Sequence, residues 1–175
     1  MKNINSFFLS GLLACVLFMS SAVCAQSKQL PFPDFGVAQP EQEAIVNWST
    51  IRPNVNHVAL VMDAQASNSM ALIGQYKSKA FDGQGLSIIV SGTPQNSRSF
   101  IVAQRSSLPQ ANWYIASPQV LSIALKLAGT PHFFGVTQDG LIAWSYAGIP
   151  PTNDRAVAMI RDWISKPSIV LQKTQ

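Results

Sequence analysis

Apolar residues change their spacing repeatedly along this chain, and each change marks an element. Val58 to Asp63 is a nearly unbroken apolar run of strand length. Ser67, Asn68 and Ser69 then offer capping oxygens to a helix whose Leu72, Ile73, Tyr76 and Ala80 share one face. Gly83 and Gly85 break the chain before Leu86 to Val90, which reads as a strand buried on both faces. Strand, helix and strand make a βαβ unit with a right-handed crossover.

A weaker helix, capped near Asn96 or Ser97, carries Phe100 and Ile101 and breaks at Pro109. The short strand Trp113 to Ala116 follows. Ser117-Pro118 opens another helix with Val120, Leu121, Ala124 and Leu125 as its expected inner face and Gly129 as its expected C-terminal cap. After Thr130-Pro131, His132 to Thr137 and Leu141 to Ala147 flank Gln138-Asp139-Gly140. Asp-Gly between two apolar runs is a hairpin signal, because the turn needs positive φ. A last helix from about Asn153 buries Val157, Ile160, Trp163 and Ile164 and stops at Pro167. The order is βα, βα, short βα, then ββα.

The N-terminal third reads differently. Phe7 to Val23 is apolar and uncharged after a basic start at Lys2, and Ala22-Val23-Cys24-Ala25 places small residues where a signal peptidase cuts. A cleavable leader, residues 1–25, is expected, with export to the periplasm. An uncleaved anchor is the weaker alternative, since the run falls short of the roughly 20 apolar residues of a membrane span and is interrupted by serines. Lipidation at Cys15 or Cys24 is another. Residues 26–54 suggest an irregular arm, with Phe32 and Phe35 among prolines, followed by a short helix from Pro40 to Pro53 that carries Ala44, Ile45, Trp48 and Ile51. Residues 55–167 form the expected main domain, and 168–175 a tail.

Composition then narrows the chemistry. The only cysteines, Cys15 and Cys24, lie inside the expected leader, so a processed chain has no thiol and no disulfide. The net charge of +4 is scattered without a Lys or Arg run, which gives no footprint for nucleic acid. Two histidines, His57 and His132, lack the spacing of a metal site. No cofactor is implied.

The element order, with Pro131 opening the first strand of the final hairpin, resembles the thioredoxin fold. The likeness is greatest to exported redoxin-like proteins of thiol-disulfide interchange and cytochrome maturation. It covers roughly residues 55–165 and is most specific at Gly129-Thr130-Pro131-His132-Phe133-Phe134 and Gln138-Asp139-Gly140. The resemblance implies an α/β fold, a three-layer α/β/α sandwich on a mixed central sheet. It also implies a cis Pro131 beside a groove that receives extended peptide. In redox-active members Cys-x-x-Cys opens the first helix, and alignment puts Ser67 and Met70 at those positions. A shared fold does not carry the activity with it.

The remaining polar residues support little catalysis. A Ser67 nucleophile with His132 as its base lacks an orienting carboxylate. Ser67 as a helix cap and His132 as a strand residue is the simpler reading. His57 is expected at the surface or an edge, Met70 as a core filler, and Asp63 as a partner of nearby backbone N–H groups. All four tryptophans fit apolar faces. The expected function is that of a redox-inactive, exported protein-binding or assembly module of the bacterial envelope, in the manner of secretion or conjugation accessories. Its partner would be an envelope protein, bound by Ser67, Asn68, Ser69, Met70, Thr130, Pro131 and His132. The alternatives are an enzyme of non-thiol type and an accessory that presents clients to a thiol-disulfide oxidoreductase.

Overall fold

A computed structural model of the protein describes residues 29–76, 85–127, 129–150 and 153–166. The expected leader, Cys15, Cys24, Ala80, Gly83 and the C-terminal tail lie outside the described residues. Strands β1 (Leu30–Pro31), β2 (Gly36–Ala38) and β3 (Ile45–Asn47) precede the one-turn helix α1 (Trp48–Ile51). The chain continues through β4 (His57–Asp63), α2 (Ser67–Tyr76), β5 (Leu86–Ser91), α3 (Pro94–Gln104), β6 (Asn112–Ala116) and α4 (Pro118–Leu125). It closes with β7 (His132–Val136), β8 (Leu141–Ala147) and α5 (Asn153–Ser165).

Among the described residues, eight strands join one mixed sheet in the order β1-β8-β7-β4-β5-β6-β2-β3. β4, β5 and β6 run parallel at its centre, and the other pairings are antiparallel. Central strands buried on both sides should be continuously apolar, and β5 is buried along its whole length. Alternation along the strands divides the core in two. Val58, Leu60, Met62, Ile88, Val90, Trp113 and Ile115 face α2, α3 and α5, which contribute Leu72, Ile73, Phe100, Ile101, Val157 and Ile160. Ala59, Val61, Ile89, Tyr114, Phe134 and Val136 face the opposite way, against Leu121 of α4 and against Phe32, Phe35, Val37 and Trp48 of the N-terminal stretch. Helices on both sides of a mixed sheet make the expected α/β/α sandwich.

Four local expectations are corrected. The helical spacing seen from Pro40 to Pro53 yields a strand, β3, and a helix of only four residues, because Ile45–Asn47 pairs with β2 and Trp48 turns into the core. Helix α3 starts earlier than Asn96: Thr93 is its cap, with its side chain accepting from Asn96 N and Pro94 in the first turn. Helix α4 does not reach Gly129; Lys126 closes it in the left-handed region at φ 49°, and its backbone N–H satisfies Ser122 O. Val120, assigned to the inner face of α4, is exposed, and Leu121 takes the buried position.

Candidate functional site

The C-terminal ends of β4 and β5, the start of α2 and the start of β7 converge at one end of the sheet. Val61 pairs with His132, and His132 pairs with Ala147, so the strand that opens at Pro131 lies between β4 and β8. The Thr130–Pro131 peptide bond is cis. Pro131 O accepts a 2.7 Å hydrogen bond from Gly148 N. Gly148 holds φ at 92°. That is a backbone conformation suited to glycine. Opposite the cis bond, Asn68 Nδ2 donates to Thr130 O at 2.9 Å. The first turn of α2 is thereby tied directly to the proline loop.

The four residues at the start of α2 play different parts. Ser69 is fully buried, and its hydroxyl accepts from Asp63 N at 3.2 Å, fastening the helix to the end of β4. Asp63 Oδ1 accepts from Gln65 N at 2.8 Å. This is the backbone role expected of it. Ser67 is exposed as the first helical residue. Met70 is 49% exposed, which corrects its reading as core filler. A long, adaptable thioether lies on the surface of the first turn of α2.

His132 stacks on Phe134 with ring centroids 4.5 Å apart and planes inclined by 12°. Burial lowers its pKa from the usual imidazole value, which favours the uncharged ring. Its Nδ1 and the Oδ1 of Asn68 are buried, and neither has a hydrogen-bond partner among the described residues. No hydrogen bond joins Ser67 to His132 among the described residues. His132 Nδ1 and Asn68 Oδ1 thus stand as two buried polar atoms on either side of the Thr130–Pro131 bond with unused hydrogen-bonding capacity.

The structure thus gathers Ser67, Asn68, Ser69, Met70, Thr130, Pro131 and His132 at one end of the sheet. His57 does not belong with them. It opens β4, a central strand, at the opposite end and is fully buried, which overturns its expected place at the surface or an edge: Trp48 covers it, with ring centroids 6.1 Å apart. Gly148, which holds the proline loop, escaped the reading of the sequence, as did the exposed Ile149 after it. A glycine between an apolar strand and Pro150 was the signal available for both.

No protein-family model matches the sequence, and no curated protein does. Solved structures, however, are similar throughout most of the described part. One is a thio-disulfide isomerase from Thermus thermophilus, at 20% identity and a TM-score of 0.55, with 75% of this chain and 91% of that chain covered. A second is a putative thiol:disulfide interchange protein DsbE from Chlorobium tepidum, at 14% identity and a TM-score of 0.54, with 76% and 94% covered. A third is a secreted Mycobacterium tuberculosis disulfide oxidoreductase homologous to E. coli DsbE, at 11% identity and a TM-score of 0.57, with 73% and 95% covered. Those likenesses, the strand order and the cis-proline loop facing the start of α2 agree: this chain has the thioredoxin-like fold.

Proposed function

We propose that this protein is an exported, redox-inactive module of the bacterial envelope that binds a protein partner in the groove between α2 and the Pro131 loop. What supports the reading is the pairing of a cis-proline loop tied to the start of α2 with the absence of thiols from Ala25 onward. Thr130-Pro131 faces Asn68, while by resemblance Ser67 and Met70 take the places where redox-active members of the fold carry cysteines. From Ala25 onward the sequence contains no cysteine at all. A surface that cannot exchange disulfides can still receive an extended segment through main-chain hydrogen bonds, with Met70 and Ile149 supplying apolar contact. Among the described residues no helix is long and apolar enough to cross a membrane. Export rests on the leader at residues 1–25. A place in a secretion or conjugation assembly is the setting that suits a scaffold of this kind.

A photo-crosslinking side chain at position 70, introduced into the full chain in its host, tests the reading. It is expected to trap a discrete envelope protein, whereas the same group at Val102, 80% exposed on α3, traps none. The purified protein should also leave insulin disulfides intact. Equal trapping at both positions, or catalytic reduction of insulin, overturns the proposal.

A further inference from the structure

Two of the four tryptophans are buried in the core, and two pack against it while staying partly open. Trp48 and Trp113 are only 1% and 4% exposed, whereas Trp144 on β8 and Trp163 on α5 are partly open and stand together. Their ring centroids are 6.1 Å apart, with planes crossing at 86°. Beside them is a cavity of about 360 Å³, open to solvent and lined by Trp144, Ala158, Met159, Asp162, Trp163 and Lys166. That volume is within the size range of small-ligand sites. The cavity lies toward the end of the sheet where β4 begins, away from the α2 and Pro131 groove.

Both indoles are fixed by the fold. Trp163 Nε1 donates to His57 O at 2.9 Å, which sets the plane of that ring. Trp144 lies over Gly135 of β7, where a Cβ would collide with its indole. Asn56 Nδ2 donates to Lys166 O at 3.2 Å, so the end of α5 that carries the lining residues is pinned to the start of β4. The small Ala158 leaves the space open. Rigid aromatic faces held at a right angle lose little conformational freedom when something rests on them.

The polar groups at the rim decide what that something is. Asp162 and Lys166 are both exposed. The carboxylate only accepts hydrogen bonds, and the ammonium only donates them. Lys166 Nζ already rests 5.5 Å from the centroid of the Trp163 ring. A cationic ligand would meet that ammonium and an anionic one would meet Asp162, so the site as a whole is balanced for a neutral guest. A ligand with an apolar C–H face for the indoles, and hydroxyls that both donate and accept at its edge, is a pyranose. We infer that the Trp144/Trp163 cavity is a saccharide-binding site, suited to one or two sugar rings of a glycan.

Titration of the isotopically labelled protein, followed by the indole N–H resonances of its four tryptophans, tests this with N,N′-diacetylchitobiose, cellobiose and maltose as probes. At least one of these should shift the Trp144 and Trp163 signals saturably at millimolar concentration and leave those of Trp48 and Trp113 in place. Asp162→Asn and Lys166→Met lie on exposed positions of α5 and just beyond it, and each should weaken binding by about tenfold, as expected for loss of a charge-assisted hydrogen bond. The unmoved Trp48 and Trp113 resonances report that both variants are folded. Three results overturn the inference: no shift with any of the three sugars, a shift that survives both substitutions undiminished, or a response to tetramethylammonium alone, which would make the cavity a cation site.

Discussion

At the scale of single residues, His57 carries the clearest consequence. Its ring is fully buried, with Nδ1 2.9 Å from Val55 O. That contact assigns the proton to Nδ1 and leaves a buried Nε2 without a partner among the described residues. Burial is the main cause that pulls its pKa from 6.5 down to about 4; the Val55 carbonyl opposes it, and the Arg52 guanidinium adds to it. A folded pKa below the unfolded one means that the unfolded chain takes up the proton first. Stability is therefore complete above pH 6.5 and falls as the pH drops toward 4. The loss approaches about 3 kcal/mol below pH 4, and most of it is present by pH 4.5. His132, also lowered by burial, adds in the same direction, while Glu41, lowered mainly by its hydrogen bond with Arg105, acts only below its ordinary value of 4.5. Urea unfolding at pH 7 and at pH 4.5 should show this loss in the native protein, and His57→Asn should remove most of it. An equal pH dependence in the two proteins would mean that His57 is not the group responsible.

Elements show where a short cap outweighs intrinsic preference. Helix α4 has both ends defined by single residues. Ser117 Oγ accepts from Val120 N at 3.2 Å, the usual N-cap bond. Lys126 adopts a left-handed conformation that a lysine populates at a cost. Lys126→Gly should remove that cost and raise stability by about 1 kcal/mol, read as a higher urea midpoint at unchanged slope. A lower midpoint would mean that the lysine side chain makes a compensating contact. The same helix shows what its sequence conceals. Gly129 and Lys126 both follow the apolar periodicity, and only the backbone trace decides which ends it. From β4 onward the alternation and helical spacing persist long enough to register, and the element order was legible. β1, β2 and β3 are two or three residues long, too short for any period to show, and their strand character comes from partners distant in sequence. The approach of the Pro131 loop to the Ser67 to Met70 segment was legible because both follow from that order. Burial of His57 was not, since it depends on Trp48 arriving from outside the main domain. The Trp144/Trp163 cavity was hidden for a related reason: Gly135, Trp144 and Trp163 each look like ordinary core positions until β7, β8 and α5 are stacked.

For the whole molecule, the N-terminal stretch is a strap rather than an appended arm. β1 pairs with β8 at one end of the sheet, and β2 pairs with β6 toward the other, so the residues between them cross the face that carries α4. Phe32 and Phe35 are buried in that crossing. The Phe32 ring meets Phe134 edge-on at 5.3 Å and lies 5.9 Å from Trp48, while Trp48 stands edge-on to Tyr114 at 5.2 Å. Phe134 in turn stacks on His132, so one aromatic chain links the strap to the groove. Phe32→Ala should cost about 3–5 kcal/mol, the usual range for deleting a buried ring. By contrast, Ile45 is 75% exposed on the edge strand β3. Ile45→Ala should therefore change stability by no more than about 0.5 kcal/mol. Because Phe32 supports Phe134, its loss should also free the His132 ring, whose titration by NMR would move up toward the ordinary imidazole value as water reaches it. If Phe32→Ala unfolds at the native urea concentration and the His132 titration stays where it was, the strap lies on the sheet without supporting it, and the groove is organised by β4, β7 and α2 alone.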